Sequence, residues 1–514
     1  MIDKVQTRYL YASLFFLAII VYAYSISFGI TSYDDSFVLY AEKIFYFSNI
    51  KKIFFSDVML NNSSQMYRPL MNLSFIWDTA WGGGVHFFHF TNILLNSFAV
   101  ICVFKILLLL KTERITAFLL SLFFLLHPSV AEAVAWIPGR NDIIAALFSF
   151  IAFISFIKYF ENNKLEYKCL FSVFLLCAIL TKETCLMIVP VAFFYLYLFK
   201  KDVLSGKKIF YFIPFFLFPY IIYSILKYIV FLNYSSPKAI SVFLTLKNFI
   251  YIPIIASNNL FPFNPVTYKV LSYSNIDSYI YYLVLIALFV CAAVIMCLNT
   301  KDKRKILFGA LWFILFLIPT FVEMKQGKPP FIYERRSYLP LLGLIIMFSD
   351  FFSLFINGKD KRIVFSYVFI FIIFFACNSY IYCQNYRNQY NFYLQASKDS
   401  PKLYYPYFVL GKIEYERDLY AAAEPYLSKA LELEPSDSEI AYMLLNIYLN
   451  KRDIKNSEKM IKIIIEQLKN DTNIPFNDKA KQIRQIINTF NYIKYLSKAK
   501  NGNFSIQFHL TAER

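Results

Sequence analysis

The chain has 514 residues, of which 58% are hydrophobic, 20% aromatic and only 17% charged. Soluble domains carry about 45–50% apolar and about 25% charged residues, so this balance excludes an ordinary soluble globular protein, and the mean hydropathy of +0.49 points to an integral membrane protein. A formal net charge of +18 would suit nucleic acid, but the lysines and arginines gather in short loops between apolar runs, where they orient a membrane protein. Nucleic-acid binding is set aside on that ground.

Tyr9 to Ile30 carries no charge and is long enough to cross about 30 Å of hydrocarbon. Lys4 and Arg8 precede it, which puts the N-terminus in the cytoplasm. No small-residue cleavage site follows, so the segment reads as a retained anchor. Directly after it comes Tyr33-Asp34-Asp35-Ser36. The acidic pair therefore emerges on the outer face, where a base acting on a lipid-carried substrate would sit. A solvated loop, or an N-cap for residues 36–50, would also account for it.

Further apolar runs fall near 86–110, 115–134, 143–160, 169–181, 185–199, 209–232, 279–299, 306–322, 337–356 and 363–383. That gives about eleven spans. Every second loop is basic: Lys111 and Arg114; Lys158, Lys164 and Lys168; Lys200, Lys201, Lys207 and Lys208; Lys301, Lys303, Arg304 and Lys305; Lys359, Lys361 and Arg362. The alternation agrees with the orientation of the first span and leaves the C-terminus outside. Thr181-Lys182-Glu183-Thr184 divides 169–199 into two short pieces, expected to form a hairpin of short or broken helices. The apolar segment 240–262, interrupted by Lys247, Pro253 and Asn258-Asn259, is expected to lie along the outer surface. The eight cysteines are scattered through apolar segments without a CxxC, and read as small buried hydrophobes.

Ionisable residues recur at the outer ends of these spans. His127, Glu132, Arg140 and Asp142 cluster in the stretch from His127-Pro128 to Asn141-Asp142, where proline and glycine break the helices. Carboxylate and imidazole suit a divalent metal, and arginine suits a phosphate. Lys182 and Glu183 stand between two apolar runs, and ionisable residues at membrane depth are costly. Arg335 and Arg336 open the tenth span from outside, against the positive-inside trend. Tyr67-Arg68-Pro69-Leu70 lies in the first outer loop, and His86, His89 and Asn92 begin the second span.

After Cys383 the composition becomes charged and helical. Tyr407, Leu410, Gly411, Tyr420, Ala423, Leu427, Ala430 and Pro435 fall at tetratricopeptide spacings, the period being about 34 residues. Gly411 and Ala423 should let the two helices approach closely; Glu414 stands where an aromatic is usual. A degenerate second unit follows through Ala441, Leu444, Leu445, Tyr448, Ser457, Ile461 and Ile464, with 477–498 as a cap. Two repeats bury little surface alone.

In order along the chain, the Asp34-Asp35 pair, Tyr67-Arg68-Pro69-Leu70, Asn92-Ile93-Leu94-Leu95, the HPxxxEAVxxxxGR segment from His127 to Arg140, Lys182-Glu183, and the ERxxYLP segment from Glu334 to Pro340 resemble the transmembrane O-mannosyltransferases with C-terminal tetratricopeptide repeats, within the GT-C glycosyltransferase superfamily; a bacterial-type relative is the nearer analogy. The resemblance implies an all-α polytopic bundle, residues 1–383, with outer loops 31–85, 135–142, 233–278 and 323–336. A linker 384–403, two repeats over 404–470, and a capping helix and tail 471–514 follow. It implies an inverting transfer of sugar from a polyprenyl-phosphate lipid to a hydroxyl of a protein or an envelope glycan or lipid. Asp34 would be the base and Asp35 its neighbour on the acceptor or a metal. Arg140, Lys182, Arg335 and Arg336 would hold the donor phosphate; Glu132, Asp142, Glu183 and His127 would order the site or bind a metal; Arg68 would lie on the acceptor side. A divalent metal is left open and no organic cofactor is expected. The setting would be a bacterial cytoplasmic membrane, with the repeats outside and able to present an acceptor. A ligase or polymerase of lipid-linked glycans and a non-catalytic membrane scaffold are the rival readings.

Overall fold

A computed structural model describes residues 6–32, 47–58, 60, 66–204, 210, 212–232, 251–260, 262, 269–270, 276–300, 302–322, 331–332, 334–356 and 361–470, with 482–488, 490–491 and 495 near the end. Among the described residues the fold is all-α apart from a two-residue antiparallel pair that sets Lys269 against Ile332 and Val270 against Phe331. The chain divides into two compact units, Met1–Gln389 and Tyr390–Arg514.

The first unit is a helical bundle. Its helices are α1 (Thr7–Tyr22), α2 (Pro69–Ala80), α3 (Val85–Leu109), α4 (Arg114–Leu125), α5 (Pro128–Ala135), α6 (Arg140–Asn162) and α7 (Leu165–Thr181). They continue as α8 (Ile188–Phe199), α9 (Ile213–Phe231), α10 (Tyr251–Leu260), α11 (Ile276–Asn299), α12 (Arg304–Val322), α13 (Tyr338–Ile356) and α14 (Lys361–Cys383). Each apolar run expected to span the membrane is helical over most of its described residues. Six of the described helical segments are long and apolar enough to cross a bilayer, or seven if the bent pair α4 and α5 forms one span. The chain is a multi-pass membrane protein, but the count of eleven is not matched helix for helix. The shortfall has local causes: α7 and α8 have 17 and 12 residues because the chain breaks at Lys182, and α4 and α5 meet at 54°. Large apolar side chains such as Leu217, Phe218, Ile225, Phe369 and Ile370 remain exposed on α9 and α14, as a lipid-facing surface requires.

The bend between α4 and α5 follows from His127-Pro128. Proline has no N–H to continue a helix but suits the first turn of a new one. The His127 side chain caps that turn by accepting from Ser129 N at 3.1 Å. Broken backbone inside a membrane bundle must find other partners. Tyr22 Oη donates to Leu125 O at 2.6 Å, Ser379 Oγ donates to Leu126 O, and Asn92 Nδ2 donates to Val134 O, Trp136 O and Ile137 O at 3.2–3.3 Å. Gly139 permits the return into α6: a Cβ there would meet Ala133 O at 2.5 Å. The segment expected along the outer surface contributes to this corner. Within 240–262, α10 carries Ala256, Ser257 and Asn259 into the protein, all buried, because Asn259 supplies hydrogen bonds that the broken α4–α5 corner lacks.

The second unit contains α15 (Gln389–Asp399, whose first residue closes the membrane unit), α16 (Tyr404–Glu416), α17 (Tyr420–Leu433), α18 (Ser438–Asn450) and α19 (Ile454–Asn470). Part of the expected linker 384–403 is thus helix, and Tyr407 Oη donates to Ser397 O at 3.3 Å. The tetratricopeptide spacing is visible in the backbone. Asp418 and Arg452 both take positive φ, and the turns they form close with matching bonds, Leu419 N to Glu414 O at 2.9 Å and Asp453 N to Tyr448 O at 2.8 Å. Ala423, Leu427, Ala430, Ala441, Leu445, Ser457 and Ile464 are fully buried. At Gly411 a Cβ would lie 2.6 Å from Leu427 Cγ, so the glycine is required for the close approach of α16 and α17. Ile486 and Phe490 of the expected capping stretch are buried as well.

Candidate active site

Asp34 and Asp35 lie outside the described residues. The chain leading to them is held tightly. Gly29 N donates to Arg387 O at 2.8 Å, and His86 Nδ1 bonds Ile26 O at 2.7 Å while His89 Nε2 bonds Gly29 O at 3.3 Å. Two residues on, Trp136 Nε1 donates to Thr31 Oγ1 at 3.2 Å. The Arg335 guanidinium lies over the other part of that indole, 4.1 Å from the ring centroid. Trp136 therefore bridges the residue before the acidic loop and one of the candidate phosphate-binding arginines.

Glu132 is fully buried. Its Oε1 accepts from Arg335 Nη1 at 2.7 Å and its Oε2 from Arg335 N at 2.8 Å, with Tyr382 Oη at 3.4 Å. One carboxylate thus fixes both the backbone and the side chain of Arg335, an arrangement in which charge-assisted bonds also set direction. The 3-10 turn Glu334–Ser337 places Arg335 there and leads into α13; Arg336 beside it is half-buried.

Lys182 and Glu183 do not neutralise each other. The turn between α7 and α8 sends them to different partners: Lys182 Nζ lies 2.6 Å from Asp142 Oδ1, and Glu183 Oε2 lies 3.3 Å from Arg68 Nε. Asn141, with its amide nitrogen turned to Thr181 O at 2.8 Å, accepts from Arg68 Nη1 at 3.3 Å. Asp142 is close enough to act on the charge of Glu132. Arg335–Glu132, Lys182–Asp142 and Arg68–Glu183 thus form a run of ion pairs along the breaks after α5 and α7.

Two expected roles are corrected by this geometry. Arg140 is fully buried and engages all three nitrogens within the protein: Nε to Asn92 Oδ1 at 2.7 Å, Nη1 to Asp78 Oδ2 at 2.5 Å and Nη2 to Phe88 O at 2.7 Å. Its guanidinium also lies 4.4 Å from the Phe75 ring centroid. It braces α2, α3 and α6 and has no face to offer a phosphate. His127 commits both ring nitrogens, Nδ1 to Ser129 N and Nε2 to Asn259 O at 2.7 Å, so it closes a corner and does not fit a metal. Glu132, Asp142 and Glu183 are each taken by a cation, and among the described residues no group of three His, Cys, Asp or Glu is placed to hold a metal ion. These candidate ligands do not fit a metal.

Sequence reasoning missed Asn92 and Asn259. Asn92 sits in a quoted motif, yet nothing in its spacing announces that one amide will serve three carbonyls and Arg140. Asn259 links three segments, accepting from His127 Nε2 and Ser129 Oγ (3.1 Å) and donating to Ser337 Oγ (2.9 Å). Beside this corner an apolar cleft of about 220 Å³ runs between α4, α13 and α14, lined by Leu120, Phe123, Leu260, Leu344, Phe371 and Phe375.

A 157-residue stretch is 32% identical to human protein O-mannosyl-transferase TMTC1, covering 26% of this chain and 17% of that protein. Human protein O-mannosyl-transferase TMTC4 is 35% identical over 125 residues, 21% of this chain and 17% of its own length. The chain resembles the protein O-mannosyl-transferases. The Caenorhabditis elegans protein O-mannosyl-transferase F38B6.6 extends the same likeness, at 31% over 146 residues, 26% of this chain and 20% of that protein. The chain matches about a fifth or less of the length of these curated relatives. No protein-family model matches it.

Proposed function

We propose that the chain is an inverting membrane glycosyltransferase that moves a sugar, mannose by the resemblance, from a polyprenyl-phosphate carrier to a hydroxyl acceptor on the extracytoplasmic face of a bacterial inner membrane. The observation that carries this reading is the run of partly buried ion pairs beginning beside Thr31, three residues before Asp34. Asp34 takes the proton of the acceptor hydroxyl as its oxygen attacks the anomeric carbon. The bond from that carbon to the carrier phosphate breaks, and the phosphate leaves with the electron pair. Asp35 orients the acceptor. Phosphate is already a good leaving group, so one base and fixed positive charge suffice. Arg335, held by Glu132, and Lys182, held by Asp142, supply that charge, with Arg336 beside them. Arg68, held by Glu183, bounds the acceptor side. The apolar cleft suits a stretch of isoprenoid chain. No step is routed through a metal. The repeats, outside by the loop charges, would present a protein or glycan acceptor.

Asp34→Asn tests the reading. Removal of a general base costs about 10²–10⁴-fold in rate, so transfer from a polyprenyl-phosphate sugar should fall by that much while expression and thermal stability persist. Full activity in the variant would sink the mechanism.

A further inference from the structure

We infer that α2 lies in the membrane–water interface, where Trp77 and Trp81 dock it on the lipid headgroup layer. With 12 residues the helix is about 18 Å long, too short for about 30 Å of hydrocarbon. Its two sides are the reverse of those of a water-facing helix. The one charged residue, Asp78, turns inward to Arg140 Nη1 at 2.5 Å, and Met71, Phe75 and Ile76 are buried too. On the other side, Leu70, Leu73, Trp77 and Trp81 follow one another at helical spacing and carry no charge. The two tryptophans are 58% and 68% exposed, with their rings 6.0 Å apart.

An exposed aromatic patch marks a protein or a membrane contact, and the join to α3 decides for lipid. The α3 helix is long and apolar enough to cross a bilayer and begins four residues after Trp81. The turn between them is tight. Gly82 takes a φ of +70°, Gly83 N donates to Asp78 O at 3.1 Å, and a Cβ on Gly83 would meet Phe87 Cβ at 2.5 Å. This turn holds the tryptophan end of α2 at the level of the first turn of a spanning helix. The Phe87 ring stands 5.9 Å from that of Phe90, which with Phe98 is exposed along α3. The patch therefore continues a lipid-facing surface. Tryptophan concentrates at that depth because its indole is apolar but keeps an N–H for water and headgroups. Lys51 and Lys52 are exposed on the short helix Ile50–Phe54, whose Ile53 joins Met71, Phe75 and Ile76 in one cluster. Basic side chains beside an apolar face suit the same layer. Arg68 caps the other end of α2, so the docked helix also fixes the depth of the Arg68–Glu183 pair. The docking does not depend on which reaction the site performs.

The test uses the full-length protein, which has four tryptophans, in vesicles of phosphatidylcholine brominated near the carbonyl end or near the methyl end of one acyl chain. Trp136 and Trp312 are buried, so the lipid-quenched part of the emission belongs to Trp77 and Trp81. Shallow bromines should quench it more than deep ones. Replacing both residues, Trp77→Phe with Trp81→Phe, should remove most of the quenching, while the remaining emission and an unchanged thermal midpoint show that the fold is intact. Each single variant should lose part of the quenching, so the result does not hang on the folding of the double variant. Quenching that is unchanged in these variants, or stronger with deep bromines, overturns the interfacial placement. Emission quenched by aqueous iodide and untouched by brominated lipid would put the face in water. Quenching that appears only when the protein is diluted in lipid would assign the face to a second copy of the chain. Either of these results overturns the docking.

Discussion

Without its guanidinium, Arg140 would leave the Asp78 carboxylate buried with Thr91 Oγ1, at 2.7 Å, as its remaining hydrogen-bond donor, and Asn92 Oδ1 and Phe88 O would lose their bonds too. Breaking a buried pair from one side costs about 3–5 kcal/mol. Arg140→Met should therefore lower the thermal midpoint and the yield of monodisperse protein in detergent, whether or not substrate is present. A variant that folds normally and loses only donor affinity would return Arg140 to the phosphate. Lys182 and Arg335 carry the opposite expectation, because each is partly exposed and held by one carboxylate. The four residues that cluster in sequence between His127 and Asp142 illustrate the limit of spacing. His127 turns to Asn259, Glu132 to Arg335, Arg140 to Asp78 and Asp142 to Lys182. Their types announced a polar site, but their partners lie elsewhere in the chain.

Helix ends decide much of the rest. In the bundle, the α4–α5 break is legible from His127-Pro128, since proline removes a donor and starts a new first turn. Its repair by Tyr22, Asn92 and Ser379 is not legible, because those side chains come from three other helices. In the repeats, α19 begins with Asp453 as its cap, Asn456 N donating to Oδ1 at 3.1 Å and Asn456 Nδ2 to Oδ2 at 2.7 Å. The backbone bond from Asn456 leads in holding the Asp453 carboxyl below its ordinary value. A carboxylate depressed in the folded state contributes stability that is present above its unfolded pKa, about 3.9, and is lost as pH falls through the folded value. Asp453→Ala should cost the helix about 0.5–2 kcal/mol, read as faster hydrogen exchange of amides 454–470 in the full-length protein. The gap between variant and wild type should be full at pH 6 and shrink below about pH 4. A gap that persists unchanged at pH 3 would remove the carboxylate from the explanation.

At the scale of the whole molecule, the loop charges carry a prediction of sidedness. An odd number of spans, as the alternating basic loops predict, puts residues 400–514 on the same side as Asp34 and Asp35. A protease confined to the cytoplasmic side of sealed inverted or right-side-out vesicles should leave that region intact, and cleavage there would overturn the odd count. The apolar segments, the membrane setting, the tetratricopeptide period and the resemblance to the O-mannosyltransferases were all determined by the sequence alone. Hydrophobic length and a repeating spacing are properties of consecutive residues, so no tertiary information is needed to read them. What only the tertiary structure decided is which charge meets which. Glu132 and Arg335 stand 203 residues apart, and Arg68 and Glu183 are 115 apart. In a medium that penalises every unpaired ion, the partner is whichever opposite charge the packing brings within reach. That is how Arg140 became a brace.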